Sequence, residues 1–302
     1  MVCLTIISIF SLSFYLENNI LAKNSFKSAA IISILWVLAA LIFNIIMWHY
    51  LKNNFDLQLA NQKSLEFFTG YLLEKSLSLD NIFVFVLIFR YFSIPRSYQR
   101  RVLHYGIMGA IVLRLLMIFF GVWLINKIHW ILYVFGAFLI FSGGKILFTQ
   151  HQHNIKELKN NLLIIWCHKY LRTTKKLFQE NFFVIRRKKL YITPLFLALI
   201  LIEASDVVFA VDSIPAILAI VRDPFIIFTS NIFAILGLRA LYFFLALGIH
   251  KFTFLQPAIA MILIFIGIKM VFEIKLPILV TLGIMAAIMT VSGILSFLKN
   301  KK

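Results

Sequence analysis

The sequence predicts an all-α, polytopic membrane protein of about nine transmembrane helices, built as two inverted three-helix repeats (spans three to five and six to eight) plus peripheral helices. Three observations carry that prediction: an apolar excess, the lengths of the apolar stretches, and an ordered set of charged motifs that occurs twice. Of the 302 residues, 62% are hydrophobic and 14% charged, with 32 Phe, and the mean hydropathy is +0.93. A soluble domain lies nearer half apolar and a quarter charged. Too little polar surface remains to coat a water-soluble globule, so the excess apolar area must face lipid. The formal net charge of +18 would suggest nucleic acid in a soluble protein. In a membrane protein, Lys- and Arg-rich loops on one face account for it, and no nucleic-acid partner is expected. Cys3 and Cys167 offer neither metal spacing nor a disulfide.

Apolar stretches of roughly 17 to 25 residues define the elements in order. The first, about 1–16, has no basic residue before Glu17 and so lacks the charged start of a secretory signal; it reads as a short or incomplete helix. The second covers about 29–51. The third, about 67–89, contains EKSLSLDNIF from Glu74. The fourth, about 102–125, contains AIVLRLL around Arg114, and the fifth, about 128–148, SGGKILF around Lys145. A basic loop follows, carrying TTKK and RRKK, which reads as a topology signal with a short interfacial helix. The sixth span, about 190–221, contains DVVFAVDSIP from Asp206. The seventh, about 225–248, contains ILGLRAL around Arg239, and the eighth, about 254–273, IGIKMVF around Lys269. The ninth covers about 276–298.

Spans three to five thus present an acid pair, an arginine and a lysine in an order that spans six to eight repeat at offsets of 132, 125 and 124 residues. Three spans separate equivalent helices, so the repeats face opposite ways, a plan recurrent in secondary transporters. The predicted organisation is 1–63, N-terminal peripheral helices; 64–148, first repeat; 149–189, basic cytoplasmic loop; 190–273, second inverted repeat; 274–302, C-terminal helix and basic tail. Alternate connections carry twenty basic residues against five, which places the C-terminus and the loop 149–189 in the cytoplasm and Trp48, Trp123 and Trp130 near the outer interface.

Five acids (Glu74, Asp80, Glu203, Asp206, Asp212) and five bases (Lys75, Arg114, Lys145, Arg239, Lys269) fall inside spans. Each unpaired charge there costs on the order of 2.5–3.5 kcal/mol, so the set must face inward and interact. Mutual salt bridging is the plainest account; yet the acids cluster while the bases are dispersed as counter-charges, and clustered carboxylates repel unless a cation or protons join them. At roughly 100° per residue, Glu203 and Asp206 share a face, whereas Glu74 and Asp80, or Asp206 and Asp212, point about 120° apart. Convergence of all five needs a kink, and Pro215, which lacks an N–H for the carbonyl of Val211, predicts a helix break beside Asp212. Carboxylates with Asn81, Ser205 and Ser213 make an all-oxygen site for a hard divalent ion such as Mn, Mg or Ca, and disfavour Cu and Zn. The histidines have poor ligand spacing.

The strings FFTGYLLEKSLSLDNIFVF, QRRVLHYGIMGAIVLR, WILYVFGAFLIFSGGK, TPLFLALILIEASDVVFAVDSIPAI and DPFIIFTSNIFAILGLRALYF resemble the TerC family of integral membrane proteins, in particular its Alx-type manganese exporter branch. The resemblance runs from about Trp36 to Lys269. It implies a multi-pass bacterial inner-membrane protein that exports Mn(II), with tellurite resistance as the family's older association. It places the family's acids on Glu74, Asp80, Glu203, Asp206 and Asp212. The chain departs from the family in lacking a first-helix acid, where it has Ser11, Ser13 or Glu17, and in carrying Arg222 before Asp223.

The expected function is secondary transport of Mn(II) with no permanently bound cofactor. The assigned metal-binding residues are Glu74, Asp80, Asn81, Glu203, Asp206, Asp212 and Ser213. The rival from another class is a membrane-embedded biogenesis or metalation factor acting with the secretion machinery through the basic loop. The lipid bilayer is the obligate surrounding, and a homo-oligomer is left open. An enzymatic activity is not expected, because the chain has no nucleotide-binding loop and its repeated acids do not require a protease.

Overall fold

The computed structural model describes residues 26–128, 130–148, 165, 169–170, 172–174, 176–186, 189–246, 254–274 and 276–299. The first span, most of the loop 149–189, Lys275 and residues 300–302 lie outside the described residues, as do the side chains of Phe26 and Asp80.

The chain is an all-α membrane protein. Its helices are α1 (Phe26–Asn54), α2 (Leu57–Tyr91), α3 (Arg96–Lys127), α4 (Ile131–Phe148), α5 (Pro194–Leu218), α6 (Pro224–Leu236), α7 (Leu238–Ala246), α8 (Leu255–Val271) and α9 (Ile278–Lys299). Among the described residues, six stretches are long and apolar enough to cross a membrane: Lys27–Asn54, Arg96–Lys127, Ile131–Phe148, Pro194–Leu218, Pro224–Ala246 and Ile278–Lys299. α2 is longer, at 35 residues, but begins with the polar LQLANQK, and α8 has 17 residues. Starts are chemically marked. Asp56 accepts from the Gln58 N–H ahead of α2, and Asp223 accepts from the N–H groups of Phe225 and Ile226 ahead of α6. Pro194 and Pro224 supply a preset φ at the first positions of α5 and α6.

One local expectation is corrected. α5 does not break at Pro215: it runs on to Leu218, and Ala219 and Val221 still donate to the carbonyls of Pro215 and Ile217 at 3.0 and 2.8 Å. The proline's fixed φ is helical, and near the C-terminal end its missing N–H removes one bond while the helical run continues to Leu218. The interruption falls instead in the seventh span, at Gly237 between α6 and α7. A Cβ there would stand 2.7 Å from Lys75 Nζ and 3.1 Å from Trp36 Cβ, so a larger residue requires the lysine end to move aside. Lys75 Nζ donates to the Ala234 carbonyl at 3.2 Å, neutralising the negative end of α6 with a cation. In the basic loop, Ile165, Lys169 and Tyr170 are helical, the rest of the stretch in which an interfacial helix is expected lies outside the described residues, and the end of the loop forms a β-hairpin. Strands β1 (Phe183–Arg186) and β2 (Lys189–Ile192) pair antiparallel, Phe183 opposite Ile192 and Arg186 opposite Lys189. Val, Ile, Phe and Tyr at these positions favour a pleated pairing.

The bundle is apolar on its exterior as well as in its core. Ile34, Ile45, Leu116, Phe119, Phe120, Phe141, Ile294 and Phe297 project outward, as a lipid-facing exterior requires. Small residues let helices close inside. α4 and α8 cross where a Cβ on Gly136 would lie 3.0 Å from the Gly267 carbonyl oxygen, and one on Gly143 2.7 Å from that of Ala260. The two contacts are reciprocal: a shift of 124 residues turns Gly136 into Ala260 and Gly143 into Gly267, and so turns one contact into the other. Phe43, Phe67 and Phe233 tie α1, α2 and α6 with ring centroids 4.8–6.1 Å apart. Two apolar clusters divide the interior. On α5 one ends at Ile202 and the other begins at Ala210, and the polar layer sits between them at Asp206.

Candidate functional site

Arg114, near the middle of α3, is 2% exposed, so its guanidinium must find compensation from protein groups. It finds two carboxylates on different helices. Nε and Nη2 donate to Asp206 Oδ2 and Oδ1 of α5 at 3.1 and 2.9 Å, a bidentate pair. Nη1 donates to Glu74 Oε1 of α2. The same Nη1 lies 3.4 Å from Ser213 Oγ and 3.5 Å from Asn231 Oδ1. Glu74 is further held by Asn231 Nδ2, donating to Oε2 at 3.1 Å, and by the Ser78 hydroxyl at 3.3 Å. One arginine thus fastens α2 to α5, and its two acids leave the group one negative charge in excess.

Beside this knot lies a cavity of about 290 Å³ between α2, α3, α4, α5 and α8. Its polar lining is Glu74, Asn81, Arg114, Ser142, Lys145, Asp212 and Ser213; Leu77, Phe209, Ile259 and Leu263 close its apolar side. The Ser142 hydroxyl lies 3.0 Å from both oxygens of Asp212. The buried Asn81 Oδ1 has no hydrogen-bond partner among the described residues, an arrangement that costs free energy unless something donates to that oxygen or coordinates it.

The predicted residues therefore do not form one cluster. Glu74 and Asp206 meet on Arg114, and Asp212, Asn81 and Ser213 line the adjoining cavity. Asp80 lies on α2 next to Asn81, with its side chain outside the described part. Glu203 stands apart, against Gly109 and Gly106 of α3, its Oε2 buried without a hydrogen-bond partner among the described residues. No group of three His, Cys, Asp or Glu side chains is poised for a metal among the described residues. Ser205 is spent on its own helix, donating to the Leu201 carbonyl at 2.7 Å. The bases also separate. Lys75 caps α6, Lys269 donates to Thr281 of α9 at 3.3 Å, Lys145 borders the cavity, and Arg239 shares a small gap with Asp206. Two residues of the site, Asn231 and Ser142, were not among those expected. The only signal for them was a neutral polar side chain within an otherwise apolar span, adjacent to a recurring charged motif.

At one end of α2 and α6, Lys63 Nζ bridges Glu66 Oε2 and Asp223 Oδ2 at 2.9 and 3.0 Å. Asp223 thereby has a lysine partner from α2. Burial alone would lower the Lys63 ammonium, but hydrogen bonds and charges from Glu66 and Asp223 outweigh it and hold the pKa above the usual lysine value.

A family model described as integral membrane protein TerC family matches residues 59–302. Over 272 residues the chain is 49% identical to a protein of Escherichia coli (strain K12) named "Putative membrane-bound redox modulator Alx", with 89% of this chain and 84% of that one covered. A protein of the same name from Salmonella typhi is 48% identical over 274 residues, covering 90% and 84%. An "Uncharacterized membrane protein STKORF319" of Myxococcus xanthus is 42% identical over 278 residues, covering 91% and 84%. No solved structure matches the chain.

Proposed function

The chain belongs to the TerC family of integral membrane proteins, and on that premise we propose that it is a secondary carrier that exports a divalent cation, Mn(II), across a bacterial inner membrane. The observation that carries the reading is the intramembrane cavity with a carboxylate, an amide oxygen and hydroxyls on its wall, including the unpartnered Asn81 Oδ1. An all-oxygen lining suits a hard divalent ion and offers nothing to a soft one. Asp212 supplies the charge, Asn81 and Ser213 neutral oxygens, and Ser142 orients the Asp212 carboxylate. Asp80, at the matching position of the first motif on α2, is the further acid assigned to the set. Glu74 lines the cavity while bound to Arg114, so an entering cation competes with that guanidinium for it. The same carboxylates bind protons, which gives a route for proton counterflow. In this reading the C-terminus and the loop 149–189 face the cytoplasm.

Proteoliposomes loaded with a Mn(II)-quenched dye test it under an imposed pH gradient. Wild-type protein is expected to quench the dye, and Asp212→Asn to abolish quenching at equal protein content. Quenching that survives Asp212→Asn excludes the site, and no transport by folded wild-type protein excludes the carrier.

One observation favours the second reading, a biogenesis or metalation factor acting with the secretion machinery. The β1–β2 hairpin displays Phe183, Ile185 and Leu190 exposed beside Arg186 and Lys189, a surface suited to docking. Neutralising the ten basic residues of the loop spares transport in a carrier and disables a docking factor.

A further inference from the structure

The charged motifs align Glu74 with Asp206 and Arg114 with Arg239. A pseudo-twofold operation relating the two halves would therefore carry Arg114 onto Arg239 while exchanging Glu74 and Asp206 with each other. The packing follows the same operation. The Gly136–Gly267 and Gly143–Ala260 contacts interconvert under it, and so, within one residue, do Gly70 against Ser230 and Gly106 against Ile202. Arg114 holds both members of the carboxylate pair in the conformation described. Arg239 is 4% exposed and borders, with Asp206 and Gly106, a gap of about 10 Å³. Its setting is thus the counterpart of the Arg114–Glu74 contact. Asn231, which locks Glu74, corresponds to Gly106 on the Asp206 side, and glycine leaves the gap open.

Building on the carrier reading, we infer that Arg239 is the alternate holder of the Glu74–Asp206 pair, replacing Arg114 when the carrier opens to the opposite face. The break at Gly237, two residues before Arg239, provides the articulation, and Lys75 satisfies the Ala234 carbonyl there. Exchange between two arginines keeps the buried carboxylates compensated in both states. Two end states of similar energy follow, as alternating access requires.

The test uses the full chain with Cys3 and Cys167 replaced by Ser and a single reporter, Leu263→Cys, on the cavity wall. A membrane-impermeant thiol reagent is applied from each face of oriented vesicles, and the ratio of labelling rates is read. Arg239→Gln is expected to retain the conformation described and shift the ratio at least tenfold toward one face; Arg114→Gln is expected to shift it at least tenfold toward the other. Shifts in the same direction, a ratio within twofold of the parent for Arg239→Gln, or a parent labelled from one face only, each overturn the exchange. Should Arg114→Gln fail to accumulate, Arg239→Gln decides alone: loss of labelling from one face supports the exchange, and parental labelling from both faces overturns it. The reporter needs no manganese. A parent that switches faces without moving Mn(II) removes the transport reading and keeps the exchange. Unaltered Mn(II) transport by Arg239→Gln removes the exchange and keeps the carrier.

Discussion

Arg114 compensates two buried acids at once, and removing it deprives both of that cation in the conformation described. Arg114→Ala is expected to cost about 3–5 kcal/mol and to lower the amount of folded protein in the membrane, read by quantitative blotting and by size-exclusion profile in detergent. Asn231→Ala removes a neutral partner of Glu74 and should cost about 1–3 kcal/mol, leaving a folded protein with a lower midpoint in a thermal scan. A midpoint for Asn231→Ala below that of Arg114→Ala would contradict this order of charges and dipoles. At this scale the sequence was partly legible. A charge within an apolar span announces that it is buried and paired, which is why Arg114, Glu74 and Asp206 stood out. Which acid it meets was not legible, because helical spacing reports directions within one helix and says nothing of the rotation of α2 and α5 about their axes. Asn231 and Ser142 escaped because a neutral side chain leaves no imbalance in a count of charges.

Adjacent glycines in α4 make the clearest test at the scale of elements. Gly143 meets the backbone of α8, whereas Gly144 has nothing within 4 Å of an added Cβ. Gly143→Ala is expected to lose about 1–3 kcal/mol by overpacking, and Gly144→Ala to be neutral or to gain up to about 1 kcal/mol from helix propensity. Detergent melting curves compare the two, and equal midpoints would exclude the close α4–α8 crossing. Lys75→Met uncovers the Ala234 carbonyl at the Gly237 break and should destabilise by about 1–3 kcal/mol, on the same assay. Helix limits were readable because runs of apolar residues bounded by Asp, Pro and basic residues have few other outcomes in a bilayer. The break was misplaced at Pro215, since a proline announces its missing donor, whereas the one-residue interruption at Gly237 lies where Trp36 and Lys75 approach from other helices.

For the molecule as a whole, the Lys63 bridge links α2 to the start of α6. Its folded-state pKa is raised above 10.5, so its contribution is complete below the unfolded value and is lost as pH rises through the folded one. The difference in melting midpoint between wild type and Lys63→Met should be constant from about pH 6 to about pH 9 and shrink in more alkaline solution. A difference that vanishes near neutrality would assign the bridge no role. Membrane class and the doubled motif order were legible because composition and periodicity act over the whole chain. The division of Glu74, Asp206, Asp212 and Glu203 among three places was not, since it depends on how two halves are pressed together.

The reciprocal α4–α8 seam has a consequence for assembly. Each helix offers the other the same small-residue groove, so recognition between the halves is written in side-chain shape rather than in the covalent link across 149–189. Cutting the gene within that loop and expressing the two fragments together should therefore restore one working protein. A chain joined only by its seam would show that complementary surfaces, once in the same bilayer, suffice to find one another.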